Sequence, residues 1–113
     1  MEQAQNPLGN QRTVVSNTGR LAEVSPDLAT AFRALRAAAD SHSTLDAKQR
    51  ELCLVAGFAA GHNEGGFRAH CVRAVEAGAT VPEVEQVVLL MLGTSLGLAP
   101  VVETLRWLHD ELL

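Results

Sequence analysis

The sequence predicts an all-α domain: an oligomeric bundle of about five helices around a central antiparallel helical hairpin. Three observations lead to this fold class. Apolar residues recur at the three- and four-residue spacing of helices from residue 21 onward. Capping residues and glycines divide this pattern into segments of helical length. With 113 residues, 47% of them hydrophobic and 19% charged, the chain supplies one globular core and has no room for a second.

The first 20 residues are predicted to be a flexible arm, which leaves residues 21–113 as the helical domain. The arm contains proline, glycine and several Gln and Asn residues, with few apolar ones. The first helix begins at Ser25-Pro26-Asp27, which supplies an N-cap, a proline in the first turn and an acid at the positive end of the helix dipole. We expect it to end near Asp40.

The second and third helices are predicted to form the hairpin. A polar turn over residues 41–44 caps the second helix, which covers residues 45–60 and ends at Gly61. The third helix covers residues 63–77, and Gly78 follows at the position where glycine ends many helices. Because the connection between them is so short, the two helices must fold back on each other.

The fourth and fifth helices complete the bundle and suggest a partner subunit. Thr80-Val81-Pro82-Glu83 is a capping box with proline inside it, so the fourth helix is expected over residues 81–95. From Val87 to Leu92 this helix is apolar all round, which is typical of a helix buried on every side. In so small a domain such burial requires a homo-oligomer. The fifth helix begins at Pro100 and continues to the C-terminus.

Charge and targeting patterns exclude several function classes. The formal net charge is −4 and the nine basic residues are spread along the chain, so neither nucleic acid nor an anionic membrane surface is an expected partner. No signal-peptide pattern opens the sequence, and glycines and a proline interrupt the apolar stretch Val87–Val102. We therefore expect a cytoplasmic protein, in which Cys53 and Cys71 form no structural disulfide.

The hairpin carries a candidate site for proton transfer. Phe67, His70, Cys71 and Ala74 follow the helical spacing of one apolar face, so His70 should point inward. Glu51 and His70 are almost equally distant from the turn and come within reach of each other when the hairpin folds. A carboxylate fixes the tautomer of a neighbouring imidazole and helps it to donate or accept a proton near neutral pH. A purely structural ion pair is the alternative, and spacing alone does not decide between them.

The remaining histidines and cysteines give weaker signals. Cys53 and Cys71 are also equally distant from the turn, which would suit a redox-active thiol pair, although two small buried side chains would have the same spacing. His62 lies at the turn, either lining the entrance of a pocket or exposed on the surface. The histidines and cysteines lack metal-ligand spacing, since the sequence has no HxxxH, CxxC or HExxH, so no metal site is predicted.

A set of ordered motifs resembles a known family. They are Lys48-Gln49-Arg50-Glu51-Leu52, then His70, then Arg73-Ala74-Val75-Glu76-Ala77-Gly78-Ala79-Thr80, then Val81-Pro82-Glu83-Val84-Glu85-Gln86-Val87, and finally Gly97-Leu98-Ala99-Pro100 before an apolar helix. In order and spacing they resemble the carboxymuconolactone decarboxylase family of the alkylhydroperoxidase D-like superfamily. The resemblance covers about residues 45–107 and implies the helical fold of that superfamily, assembled as a trimer or hexamer.

The resemblance also implies which branch of the superfamily the chain is closer to. The redox branch has a Glu, a CxxC and a His, and its Glu and His match Glu51 and His70. Its CxxC would fall on Asn63-Glu64-Gly65-Gly66, where both cysteines are absent. Since a hydroperoxidase needs a reactive thiolate and a resolving partner there, the resemblance favours the decarboxylase-like branch and no peroxidase activity.

From this resemblance we expect a cofactor-independent decarboxylase, or a related lyase or isomerase, acting on a small carboxylated lactone or ring compound of aromatic degradation. His70 would be the proton donor and Glu51 its orienting partner. Arg50 is the first candidate to bind a substrate carboxylate and Arg73 the second. Two further candidates for substrate binding are His62 and Phe67. The alternatives are a thiol oxidoreductase that uses Cys53 and Cys71, and a non-catalytic oligomeric binding module.

Overall fold

The computed structural model describes residues 16–113, which form six α-helices and no β-strand. They are α1 (Asn17–Val24), α2 (Pro26–Ser41), α3 (Ala47–Ala60), α4 (Glu64–Glu76), α5 (Val81–Leu89) and α6 (Leu98–Leu112). The predicted all-α class is therefore confirmed. Most of the predicted N-terminal arm lies outside the described residues, but its last four residues begin α1, a helix that the sequence pattern did not predict.

The chain divides into two compact units, with the boundary between Ala39 and Asp40. The described part of the first unit contains α1 and most of α2. The hydroxyl of Ser16 accepts a hydrogen bond from the Gly19 N–H and caps α1. In the same way Ser25 accepts from the Leu28 N–H at 3.2 Å, so α2 begins where the sequence predicts.

In the second unit, α3 and α4 form the predicted hairpin. α3 begins two residues later than expected because Asp46, and not the preceding polar turn, supplies the cap. Its carboxylate accepts from the Gln49 N–H at 2.8 Å, while the Gln49 side chain accepts from the Asp46 N–H at 3.1 Å. Asn63 caps α4, and Gly78 adopts a φ of +107°, the left-handed conformation that favours glycine after a helix end.

The core of the second unit lies between the hairpin and the two C-terminal helices. Each helix contributes fully or almost fully buried apolar side chains, namely Val55 and Ala59 from α3, Phe67, Cys71 and Ala74 from α4, Val84 and Val88 from α5, and Val101, Trp107 and Leu108 from α6. The buried face of α4 is the one that helical spacing predicts. This packing fixes the hairpin as a rigid support for polar side chains at its margin.

α5 is shorter than predicted, since it ends at Leu89 and not at residue 95. Beyond it the Met91 carbonyl accepts from several backbone N–H groups, and the Thr94 hydroxyl donates to the same carbonyl at 2.9 Å. Gly93 adopts a φ of +86° within this turn. Leu90 is 59% exposed, so the single chain does not surround the apolar stretch.

No helix between residues 16 and 113 is both long enough and apolar enough to cross a membrane.

Candidate functional site

A short hydrogen bond joins the two helices of the hairpin. Nδ1 of His70 on α4 lies 2.7 Å from Oε1 of Glu51 on α3, in the contact that the sequence predicts. The side chain of His70 is 12% exposed and that of Glu51 is 20% exposed. The pair is thus removed from bulk water but still accessible at its edge, which allows proton exchange with solvent.

Arg73 lies against the other nitrogen of His70. Its Nη1 is 3.4 Å from His70 Nε2, one helical turn further along α4. An ionised carboxylate can only accept a hydrogen bond and a guanidinium can only donate one. The neutral imidazole that satisfies both neighbours therefore carries its proton on Nδ1 and offers the lone pair of Nε2 to Arg73. The site has one nitrogen fixed by an anion and the other facing a cation.

Phe58 covers one face of the His70 imidazole. The two ring centroids are 5.0 Å apart and the ring planes differ by 19°, which is a stacked arrangement. Phe58 comes from α3, seven residues after Glu51, so both side chains lie on the side of α3 that faces α4. Phe58 is not among the site residues predicted from the sequence, although its two-turn spacing from Glu51 was a usable signal.

A depression of about 230 Å³ opens beside this aromatic stack. It is lined by Cys53, Leu54, Gly57 and Phe58, which all belong to α3. Cys53 and Gly57 are exposed, so the depression faces solvent. Glu51 and His70 do not belong to its lining, and Phe58 is the side chain that the depression shares with the Glu51–His70 pair.

The amino-acid sequence matches the model of a known protein family. The model of the Carboxymuconolactone decarboxylase family matches residues 26–110, which is most of the chain.

The chain belongs to the carboxymuconolactone decarboxylase family.

Membership confirms the resemblance inferred from the ordered motifs and, with it, the alkylhydroperoxidase D-like helical fold. The only cysteines of the sequence are Cys53 and Cys71, so this family member lacks the CxxC motif. Comparisons with curated proteins and with solved structures gave no significant match.

Arg50 and Phe67, two further residues predicted to bind substrate, make their contacts away from the Glu51–His70 pair. Arg50 donates from Nη1 to the Leu45 carbonyl at 2.9 Å, at the beginning of α3. Phe67 is fully buried in the core, where its ring lies 6.1 Å from that of Trp107. The structure therefore brings Arg73 to His70, whereas Arg50 and Phe67 have partners elsewhere.

His62 joins the hairpin turn to α6. Its Nε2 lies 2.9 Å from Oε1 of Glu103, and its ring centroid is 4.6 Å from that of Trp107. Its φ of +52° places it in the left-handed region, which is uncommon for a residue with a side chain. These contacts with α6 account for the histidine at the turn through ring packing and a hydrogen bond.

The two cysteines have opposite surroundings. Cys53 is exposed beside the depression, whereas Cys71 is fully buried in the core, and both are free thiols. Burial raises the pKa of Cys71 to about 12, with a smaller contribution from the negative charge of Glu111. At neutral pH Cys71 is thus a neutral thiol, the unreactive form in thiol–disulfide exchange.

Residues 16–113 contain no group of three or more His, Cys, Asp or Glu side chains arranged to hold a metal ion.

Proposed function

We propose that this protein is a decarboxylase or a closely related lyase that acts without a cofactor on a small carboxylated lactone or ring compound, with His70 as proton donor. The observation that carries the proposal is the 2.7 Å contact between Glu51 and His70 Nδ1, combined with a cation at Nε2. This is the arrangement of an oriented acid–base imidazole beside an anion-binding group. Family membership supports the same class of reaction.

The proposed reaction on a carboxylated butenolide begins at the carboxylate. The bond between the ring carbon and the carboxylate breaks, and carbon dioxide leaves. The electron pair of that bond moves through the ring double bond to the lactone carbonyl oxygen and gives a dienolate. Protonated His70 then donates the Nε2 proton to the carbon next to the carbonyl and regains a proton from water. Glu51 stabilises the protonated imidazole and holds Nδ1.

Arg73 is our choice for the residue that binds the substrate carboxylate, although the sequence favoured Arg50. Arg73 is exposed and its guanidinium already lies at His70 Nε2, so a bound carboxylate would be held next to the proton donor. The bond from Arg73 to Nε2 is long, at 3.4 Å, and a carboxylate would compete well for the guanidinium. Binding would then free Nε2 to carry the proton that it donates.

Acid–base chemistry is better supported than thiol chemistry. A dithiol mechanism needs an accessible thiolate and a partner thiol within bonding distance. Here one cysteine is exposed, the other is sealed in the core, and the buried thiol has a raised pKa. The Glu51–His70 pair needs neither cysteine.

Turnover of carboxymuconolactone and related carboxylated lactones by matched histidine variants tests the proposal. We expect His70→Gln and Glu51→Gln to lower kcat, the first by at least about hundredfold because a positioned proton donor is lost. His109→Gln is the control, because His109 Nε2 lies 2.7 Å from Glu85 in a similar pair with a more exposed histidine, 43% against 12%. We expect His109→Gln to keep full activity.

The dependence of kcat/KM on pH gives a second readout. In wild-type protein kcat/KM should change with pH, and this change should be absent in His70→Gln and present in His109→Gln. If His70→Gln turned over every accepted lactone at the wild-type rate, the proton-donor role would be wrong. A wild-type protein that bound these lactones without converting them would indicate the non-catalytic binding module instead.

We also propose that the protein works as a homo-oligomer in the cytoplasm. Large apolar side chains remain exposed on the single chain, and the family resemblance suggests a trimer or hexamer. The exposed free thiol of Cys53 suits a reducing compartment.

A further inference from the structure

His70 needs more than its bond to Glu51 to keep one orientation. A single hydrogen bond at Nδ1 leaves the imidazole able to pivot about the Cβ–Cγ bond and about the bond to the carboxylate. Pivoting would carry Nε2 away from Arg73. A flat group against the face of the imidazole opposes this motion, and the ring of Phe58 is placed in that way, with 19° between the two planes.

Gly66 provides the space that the Phe58 ring occupies. A Cβ added at Gly66 would lie 2.4 Å from both Cδ1 and Cε1 of Phe58 and 2.9 Å from its Cγ. Such distances are far shorter than any van der Waals contact, so a side chain at this position would displace the ring. Gly66 precedes His70 by four residues, one turn of α4, so both face the same ring.

We propose that Phe58 is a positioning residue for His70. Gly66 has no side chain and so leaves the space in which the Phe58 ring stacks on the imidazole. Phe58 stacks on the face of the imidazole, and Glu51 accepts the hydrogen bond from its Nδ1. Together these two contacts keep Nε2 directed at Arg73. The catalytic meaning of this arrangement rests on the proposed function, whereas the positioning itself rests on the contacts of the three side chains.

The orientation of His70 can be measured without any substrate. In protein labelled with ¹⁵N, the imidazole shifts report which nitrogen carries the proton, and hydrogen exchange reports how well the Nδ1–H is protected. We expect the Nδ1–H form to dominate in wild type and in Phe58→Tyr, which keeps the stacked ring. In Phe58→Leu we expect a mixture of tautomers and roughly tenfold faster Nδ1–H exchange, the upper range of what an aromatic stack contributes. His62 and His109 are internal controls whose signals should not change.

A second variant separates positioning from simple packing. Gly66→Ala should displace Phe58, lower the thermal midpoint and give the same tautomer mixture as Phe58→Leu. The double variant Gly66→Ala with Phe58→Leu should recover most of the stability, because leucine can bend away from the new Cβ. Its tautomer mixture should remain. A residue with only a packing role would change the thermal midpoint and leave the His70 tautomer as in wild type.

Activity gives the last readout. In Phe58→Leu we expect kcat to fall by about tenfold with little change in KM, since a misaligned proton donor slows the chemical step more than binding. If the His70 shifts and exchange in Phe58→Leu equalled those of wild type, the positioning role would be overturned even where His70→Gln had lost activity. A tautomer shift in a protein that converts no lactone would refute the proposed function alone.

Discussion

At the scale of the residue, exposure distinguishes three similar pairs. His70, His62 and His109 each contact a glutamate at 2.7 to 2.9 Å, but the side chain of His70 is 12% exposed while the other two are 37% and 43% exposed. Exposed ion pairs contribute little, because water competes for both partners and solvent screens the charges. In a pair shielded from water, such as Glu51 and His70, the hydrogen bond is stronger because the local dielectric constant is lower. Nη1 of Arg73 also lies 3.4 Å from Nε2 of His70, and the Phe58 ring is stacked on its imidazole with 19° between the planes, whereas Trp107 is tilted by 33° against the His62 ring.

The two thiols should differ strongly in reactivity. The pKa of Cys71 rises from 9.0 to about 12, which lowers its thiolate fraction at pH 8 by about a thousandfold, and the core also excludes the reagent. An aromatic disulfide reagent should modify one thiol per native chain quickly and the second only after denaturation. In Cys53→Ser the fast reaction should disappear. Two fast thiols in native protein would contradict the buried position of Cys71.

The direction of the Cys71 shift also sets a pH dependence. The folded thiol keeps its proton to higher pH than the unfolded thiol does. Its contribution to stability is therefore complete below the ordinary thiol pKa and is lost as the pH rises towards 12. Slow labelling of Cys71 should accelerate over that range as unfolding becomes easier.

The central contact of the site was predictable because it depends on two simple distances along the chain. Glu51 and His70 are nearly equally far from a short turn, and helical periodicity gave the inward direction of His70. The choice between Arg50 and Arg73 was not predictable in this way. It depends on side-chain rotamers, which send one guanidinium to a backbone carbonyl and the other to an imidazole.

At the scale of the element, helix caps fix the frame of the site. Thr80 and Glu83 form the predicted capping box of α5, with the Glu83 carboxylate 2.9 Å from the Thr80 N–H. The same carboxylate is 2.9 Å from Nζ of Lys48 on α3, so one side chain both caps α5 and ties it to the hairpin. The sequence predicts the capping box but not the hydrogen bond between Lys48 and Glu83, because these two residues are distant in the chain.

Glu83 should make the free energy of unfolding depend on pH in the acidic range. The hydrogen bond from the Thr80 backbone N–H, followed by that from Lys48, lowers the pKa of Glu83 below its ordinary 4.5. The folded state therefore binds fewer protons than the unfolded state does in this range. The contribution is complete above pH 4.5 and is lost as the pH falls through the lowered pKa.

Urea unfolding of wild type and Glu83→Gln between pH 2.5 and 7 measures this contribution. The two free energies of unfolding should differ most above pH 5 and converge as the pH falls through the lowered pKa of Glu83, because the protonated glutamic acid is then uncharged, as glutamine is. Glu64→Gln is the control for removing one acid, since Glu64 pairs with Arg68 within α4. A difference between wild type and Glu83→Gln that stayed constant over the whole range would refute the shift.

The elements that sequence reasoning missed were those set by local geometry. α5 was expected to continue to residue 95 because its composition stays helical and apolar, yet carbonyl and hydroxyl contacts around Met91 end it after two and a half turns. α1 was not predicted because its first four residues belong to the polar segment assigned to the arm, and the helix has only eight residues and buries none of them. The role of a glycine is harder still to predict, because it depends on the space that the missing side chain leaves. At Gly66 that space is occupied by the Phe58 ring, which only the structure shows.

At the scale of the whole molecule, several large apolar side chains of the second unit remain exposed. Leu89, Leu90, Leu92 and Leu98 are between 44% and 69% exposed, and all lie in or next to the turn between α5 and α6. Several large apolar side chains exposed in one segment are a feature of subunit interfaces. The sequence predicts that Val87–Leu92, which includes three of these leucines, is buried on all sides, and a second copy of the chain would cover them.

We therefore expect wild-type protein to form a homo-oligomer at micromolar concentration. Leu90→Glu places a charge among these exposed leucines, where burial of a charge without a partner is costly, and should weaken association by more than about tenfold. Val75→Glu is the matched control, an exposed valine on α4 outside this stretch. Light scattering coupled to size-exclusion chromatography gives the masses, and circular dichroism shows whether each variant stays helical. A monomeric wild type, or equal masses for a folded Leu90→Glu and wild type over a dilution series, would show that this surface is not the subunit contact.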